Sequence, residues 1–62
     1  MEALKKFREE KGLTRKQMAE KLKISLSLYN KVEFDARTPS GNFLKRFKKI
    51  FPSFDMNIFF IN

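Results

Sequence analysis

The sequence contains neither cysteine nor histidine among its 62 residues. Without cysteine, no disulfide and no thiolate metal site can stabilise so short a chain, which buries only about 60% of its unfolded surface. Without histidine, the usual general base and the commonest metal ligand are missing. The 7 acidic residues are scattered through charged segments. We therefore expect no enzymatic activity, no metal and no cofactor.

Long apolar runs are missing as well. No stretch approaches the roughly 20 consecutive apolar residues of a membrane-spanning helix. The N-terminal segment carries acidic residues and lacks the apolar region of a signal peptide. We therefore expect no membrane partner and a cytoplasmic location.

Positive charge, by contrast, is abundant. The chain has 14 lysine and arginine residues against 7 acidic ones, which gives a net charge of +7. This balance is typical of proteins that bind a polyanion, either nucleic acid or an anionic membrane surface. Many small proteins are basic only for solubility, so the charge alone does not decide between these interpretations.

Hydrophobic periodicity predicts four helices. The first covers residues 2–11 and ends at Gly12, since glycine is common just past a helix end. The second and third cover residues 15–22 and 26–34, and the fourth begins after Ser40. The inward positions of the first, second and fourth helices are Ala3, Leu4 and Phe7; Met18, Ala19 and Leu22; and Phe43, Leu44, Phe47, Ile50 and Phe51.

The C-terminal segment, residues 53–62, allows two interpretations. Ser53 or Asp55 is a suitable cap for one turn of helix. The run NIFFI is aromatic and β-branched enough for a short strand. We favour the helical turn, because a lone strand has no partner within the chain.

The second and third predicted helices are nearly contiguous. Thr14 and Ser25 are suitable N-caps, because a hydroxyl accepts a hydrogen bond from a helix N–H that has no other partner. Only Lys23 and Ile24 lie between the end of one helix and the cap of the next, so residues 14–34 are predicted to form a helix-turn-helix. On the third helix, Tyr29 and Val32 are predicted to point inward. The outward positions are Ser27, Asn30, Lys31 and Phe34, with Leu26 at the leading end.

Several runs around this motif resemble the phage-repressor and Cro family of helix-turn-helix transcriptional regulators, the XRE-like family. They are GLTRKQMAEKLKIS, YNKVE and RTPS, with LKKFREEKG upstream, and they extend from residue 4 to about residue 51. The resemblance implies a compact all-α bundle of four to five helices, the lambda-repressor-like fold. The length of the chain allows a single domain, residues 1–62. It also implies a transcriptional regulator that binds double-stranded DNA, with the third helix in the major groove.

Four positions depart from the family's usual pattern. Lys23 and Asp35 stand where glycine is common, after the second and third helices. A positive φ costs glycine nothing, and it costs aspartate less than lysine. Leu26 and Leu28 stand where polar residues are common in the family.

The resemblance implies an ion pair between Arg8 and Glu33, which would join the first helix to the third. The alternative is two unrelated exposed charges.

On the outward face of the third helix, the resemblance implies contacts with base edges. Lysine suits guanine acceptors, serine suits several bases, and leucine packs on a thymine methyl group. The candidates are Leu26, Ser27, Asn30 and Lys31, and the alternative is a solvated helix face.

Phosphate contacts are expected at the starts of helices, where backbone N–H groups and short polar side chains hold anions. The candidates are Arg15, Arg37, Thr38, Ser40 and Asn42. The basic residues of the fourth helix are instead expected to form a solvated face. They are Lys45, Arg46, Lys48 and Lys49.

The last candidates are Phe59, Phe60 and Ile61. Clustered exposed aromatic residues indicate an interaction surface, and the resemblance implies a dimer contact at this end of the chain. We therefore expect a homodimer and no small-molecule ligand; the alternative is that these residues cover the monomer core. Two other functions stay open, namely a protein-interaction module and an antitoxin-like regulator that acts through a partner protein.

Overall fold

The computed structural model describes residues 1–60, which form four α-helices and one 3-10 helix. The α-helices are α1 (Glu2–Glu10), α2 (Arg15–Leu22), α3 (Leu26–Glu33) and α4 (Gly41–Ile50). The 3-10 helix, here called the C-terminal turn, covers Met56–Phe60. The all-α fold is confirmed, and the C-terminal segment is helical as predicted, with no strand in the part of the chain that is described.

Three helices begin at the hydroxyl residues that the sequence offers as caps. Thr14 forms a full capping box with Gln17: its Oγ1 accepts from the Gln17 backbone N–H at 3.1 Å, and its own N–H donates to Gln17 Oε1 at 2.9 Å. Ser25 Oγ accepts from the N–H of Leu28 at 3.0 Å. Ser40 Oγ accepts from the N–H of Phe43 at 3.2 Å. Each bond satisfies a donor that the helix itself leaves unpaired, which fixes where the helix begins.

Three residues with positive φ turn the chain between helices. Gly12 follows α1 with φ 69°, Lys23 follows α2 with φ 57°, and Asp35 follows α3 with φ 61°. The last two are the positions where the sequence departs from glycine. The turn after α2 is also held from α4, because Nη1 of Arg46 donates to the carbonyl of Lys23 at 2.9 Å.

The core is built around the aromatic side chains of α4. Phe47 is fully buried, and the centroids of five other phenylalanine rings lie between 4.9 and 5.9 Å from its own; these are Phe7, Phe43, Phe51, Phe54 and Phe59. The predicted inward residues Leu4, Met18, Ala19, Leu22, Tyr29 and Val32 are buried in the same cluster. Since α2 packs on both α3 and α4, and α1 packs on α3, the core holds α3 from two sides.

One predicted core position is wrong. Ile50 is 39% exposed and lines an open cleft between α2 and α4. The helix ends at Ile50, and Phe51 leaves the helical path with φ −126°. Its ring then packs edge-on against Phe7, with 5.1 Å between centroids. Phe51 therefore covers the core in place of Ile50.

No helix in residues 1–60 has the length and apolar character needed to cross a bilayer.

Candidate nucleic-acid interface

α3 has one buried face and one exposed face. Tyr29 and Val32 are almost completely buried, as predicted. Three of the four candidate base-contacting residues are exposed on the other face, namely Leu26, Ser27 and Lys31. Leu26 is 40% exposed even though it is apolar. The exposed face of α3 therefore offers one apolar, one hydroxyl and one cationic side chain.

Asn30 does not belong to this exposed face. Its side chain is half-buried, and within residues 1–60 its buried Oδ1 has no hydrogen-bond partner. Asn30 lies one turn before Glu33 on α3, about 60° around the helix from it. Glu33 is 2% exposed, so toward the C-terminal end of α3 the buried face is wider than the apolar residues alone indicate. The predicted outward position of Asn30 is corrected accordingly.

The structure brings Arg8 and Glu33 together. Nε of Arg8 donates to Oε2 of Glu33 at 3.0 Å, and Nη2 donates to Oε1 at 3.2 Å. Nη1 of Arg8 donates to the carbonyl of Leu13 at 2.8 Å, and Tyr29 donates its hydroxyl to Oε2 of Glu33 at 2.5 Å. Both charged groups are buried: 9% of the side chain of Arg8 and 1% of the side chain of Glu33 are exposed. These bonds join α1, the turn after it and α3.

Hydrogen bonds within this cluster stabilise its charged groups, although burial disfavours charge. Burial alone would raise the pKa of Glu33, but hydrogen bonds from Arg8, Tyr29 and Arg15 together outweigh it and hold that pKa below its usual value. The hydrogen bond to Glu33 raises the pKa of Arg8 in spite of burial. The pKa of Tyr29 is raised well above its ordinary value, mainly by burial and further by its hydrogen bond to the carboxylate of Glu33. The carboxylate therefore stays ionised and the phenol stays protonated around neutral pH.

Arg15, the first residue of α2, supplies a second cation to the same carboxylate. Its Nε donates to Oε1 of Glu33 at 3.1 Å, and 40% of its side chain remains exposed. Its guanidinium carbon also lies 4.8 Å from the ring centroid of Phe34, the residue that follows α3. The ring is 58% exposed. The start of α2 is therefore fixed against the C-terminal end of α3.

The loop after α3 is anchored at the same end. The backbone N–H groups of Ala36 and Arg37 both donate to the carbonyl of Lys31, at 2.8 and 3.2 Å. The remaining candidate phosphate-binding residues are exposed along this loop and at the start of α4; they are Arg37, Thr38, Ser40 and Asn42. The hydroxyl of Ser40 is already used as the cap of α4. Arg15 of α2 and the loop after α3 therefore both lie against the C-terminal end of α3.

The chain matches the family described as helix-turn-helix over residues 4–53. The chain belongs to this family. It is a regulator of the XRE type, the repressor and Cro class, and a DNA-binding regulator of transcription. No curated protein and no solved structure matches the chain.

In this helix-turn-helix regulator, the C-terminal turn contributes to the monomer core. Phe59 is only 8% exposed, and its ring centroid lies 5.2 Å from that of Phe47. Phe59 therefore offers little of its surface to a second subunit, and its dimer contact stays a prediction. Phe60 is 67% exposed. Ile61 lies outside the described residues.

The structure of the helix-turn-helix regulator also contains a feature that the sequence did not predict, the contact of Arg15 with both Glu33 and Phe34. No spacing rule pairs residues so far apart in the chain. The one available signal was Phe34, an aromatic residue at an outward position of the predicted third helix.

On α4, the basic residues are exposed as predicted. Arg46 additionally donates a hydrogen bond to the carbonyl of Lys23 in the turn after α2.

Proposed function

We propose that this regulator binds double-stranded DNA sequence-specifically, with α3 in the major groove. The observation that supports this most directly is the composition of the exposed face of α3. Leu26 suits a thymine methyl group, Ser27 suits several base edges, and Lys31 suits the acceptors of guanine. The buried cluster of Arg8, Glu33 and Tyr29 holds the C-terminal end of the same helix.

Phosphate contacts are proposed on both sides of α3. Arg15 belongs to the start of α2, and Arg37 and Thr38 precede the start of α4. Because Ser40 caps only the N–H of Phe43, the N–H groups of Gly41 and Asn42 have no acceptor within the helix. Backbone donors of this kind hold phosphate oxygens in protein–DNA complexes. In this arrangement the phosphate contacts orient α3, and the base contacts specify the sequence.

A homodimer would place two copies of α3 about 34 Å apart, one DNA turn. With Phe59 buried, the proposed contact rests on Phe60.

The rival function is a protein-interaction module. It is favoured by Leu26 and Phe34, two apolar side chains that are exposed beside the basic ones. An antitoxin-like regulator that acts through a partner protein would use both kinds of surface.

Salt-dependent binding to a mixed-sequence duplex separates these functions. The logarithm of the binding constant falls with the logarithm of the salt concentration in proportion to the phosphates contacted. Arg37→Ala should weaken binding and lower this slope by about one phosphate equivalent. Lys45→Ala, which removes an equal charge from α4, is the matched control and should have much less effect. Equal losses would indicate diffuse attraction, and an absence of duplex binding would favour the interaction module.

A further inference from the structure

Arg15 is constrained on two sides of its guanidinium group. Its Nε donates a hydrogen bond to Glu33, and its guanidinium carbon lies over the ring of Phe34. Glu33 is itself held by Arg8 and Tyr29, so the acceptor cannot follow Arg15 if that side chain moves. Arg15 is thus a partly exposed arginine whose guanidinium has two contacts within the protein.

The cluster retains positive charge for a ligand. Arg8 and Arg15 carry one positive charge each and share the single negative charge of Glu33. The three side chains together therefore carry a net charge of +1. Because Arg8 is buried and Arg15 is 40% exposed, this excess charge is accessible at Arg15.

The donors of Arg15 that its hydrogen bond to Glu33 does not use are those of the two Nη groups. A guanidinium has five N–H donors in a rigid planar fork, and only one of them belongs to Nε. In residues 1–60, the hydrogen bond of Arg15 to the protein is made by Nε. Terminal Nη groups of this kind match the oxygens of a phosphate in two-point geometry.

We propose that Phe34 is a positioning residue that acts through Arg15. With Glu33, its ring holds the guanidinium so that the two Nη groups are presented to a DNA phosphate beside α3. This inference rests on the proposed DNA-binding function. An arginine side chain loses much rotamer freedom when it binds, and less of that loss falls on the binding step when the side chain is already held in place.

Binding to a mixed-sequence duplex across a salt series tests the inference without knowledge of the operator. Arg15→Ala should weaken binding and lower the salt slope by about one phosphate equivalent. Phe34→Leu should weaken binding about two- to fivefold, the range of an exposed cation–π contact, and leave the slope unchanged because the cation remains. Phe34→Tyr keeps the ring and should bind like the wild type.

The double variant decides whether Phe34 acts through Arg15. In the Arg15→Ala background, Phe34→Leu should have no further effect. An equal loss in both backgrounds would overturn the inference, because Phe34 would then act independently of Arg15. So would wild-type affinity of the single Phe34→Leu variant.

A measurement on the free protein separates this inference from the proposed function. Nitrogen-15 relaxation of Arg15 Nε should report a restricted side chain in the wild type and a more mobile one in Phe34→Leu. Thermal unfolding should be nearly unchanged, since the ring is 58% exposed. If the wild type shows this restriction but binds no duplex, the proposed function fails while the positioning of Arg15 by Phe34 is upheld. If Arg15 is equally mobile in both proteins, the positioning role fails even where DNA is bound.

Discussion

The guanidinium of Arg8 binds the carboxylate of Glu33 through two hydrogen bonds, one from Nε at 3.0 Å and one from Nη2 at 3.2 Å. Arg8 lies near the end of α1 and Glu33 is the last residue of α3. The pair therefore fixes the orientation of the proposed recognition helix relative to the rest of the fold. Removal of Arg8 leaves the buried carboxylate of Glu33 with only Arg15 and Tyr29 as partners, and breaking a buried ion pair costs more than the intact pair contributes.

The first prediction concerns this pair. Arg8→Ala should destabilise the fold by about 3 kcal/mol, because the carboxylate of Glu33 loses its main partner in a buried site. Arg8→Ala combined with Glu33→Gln should recover much of the loss, since no unpaired charge remains. Chemical denaturation of the wild type and both variants measures this. Identical unfolding curves for all three would show that the pair has no energetic role.

A second prediction follows from the lowered pKa of Glu33. The folded chain keeps this carboxylate ionised to lower pH than the unfolded chain, whose glutamate pKa is about 4.3. The stabilisation is therefore fully present above the unfolded pKa and is lost as the pH falls through the lower folded pKa. We expect wild type to exceed Glu33→Gln in unfolding free energy by a constant amount from neutral pH down to about 5, and by less below about 4.

Denaturant titrations across this pH range provide the measurement. Glu20→Gln removes an exposed carboxylate and serves as the control. A difference between wild type and Glu33→Gln that stayed constant into strong acid would contradict the lowered pKa. A difference that grew on acidification would contradict its sign.

Local rules explain why the helices could be predicted from sequence. Thr14, Ser25 and Ser40 cap the helices that follow them, and capping depends only on residues within one turn. The burial of Glu33 could not be predicted from periodicity, because it depends on cations from α1 and α2. Asn30, one turn before Glu33, is half-buried for a reason that periodicity does not show either. Likewise, the sequence offered adjacent phenylalanines at the end of the chain, and only the packing of the core decides that Phe59 is buried and Phe60 is exposed.

The third prediction concerns the strained turn of the helix-turn-helix. Lys23 has φ 57°, a left-handed conformation that costs roughly 1–2 kcal/mol for a residue with a Cβ. Lys23→Gly should therefore stabilise the fold by about 1 kcal/mol. Lys21→Gly, an exposed position inside α2, is the matched control and should destabilise by about 1 kcal/mol. Destabilisation by both changes would show that the turn is not strained at Lys23.

The fourth prediction concerns assembly. Phe60 is 67% exposed, and burial of this ring would favour a two-fold contact between copies of the chain. Phe60→Ser should shift sedimentation from dimer to monomer and weaken binding to a duplex, while helical circular dichroism stays nearly unchanged. Phe34→Ser removes a comparably exposed ring at the other surface and should leave the sedimentation unchanged. A wild-type chain that sediments as a monomer at high concentration would contradict the proposed contact.

The last prediction tests whether α3 reads bases. Lys31 and Leu26 are both exposed on α3, and a good base contact contributes about 1–3 kcal/mol of discrimination. Lys31→Ala should therefore relax the preference at one or two base pairs of each half-site, while binding to unrelated DNA falls only slightly. Leu26→Gln should change the preferred base, because it replaces a contact to a methyl group with a donor and an acceptor that suit adenine.

Selection of binding sites from random duplexes, run in parallel on the wild type and these two variants, measures both effects. Lys45→Ala removes an exposed lysine from α4 and should select the same site as the wild type. If the α3 variants also select the wild-type site, α3 is not the reading element, whatever the overall affinity. If only Lys31→Ala changes the site, Leu26 does not contact a base, and its exposed side chain is better explained by a protein partner. A change of site in both α3 variants, with none in Lys45→Ala, would assign base recognition to the exposed face of α3. Each of the three variants carries one substitution at an exposed residue, and they differ in whether that residue belongs to α3 or to α4.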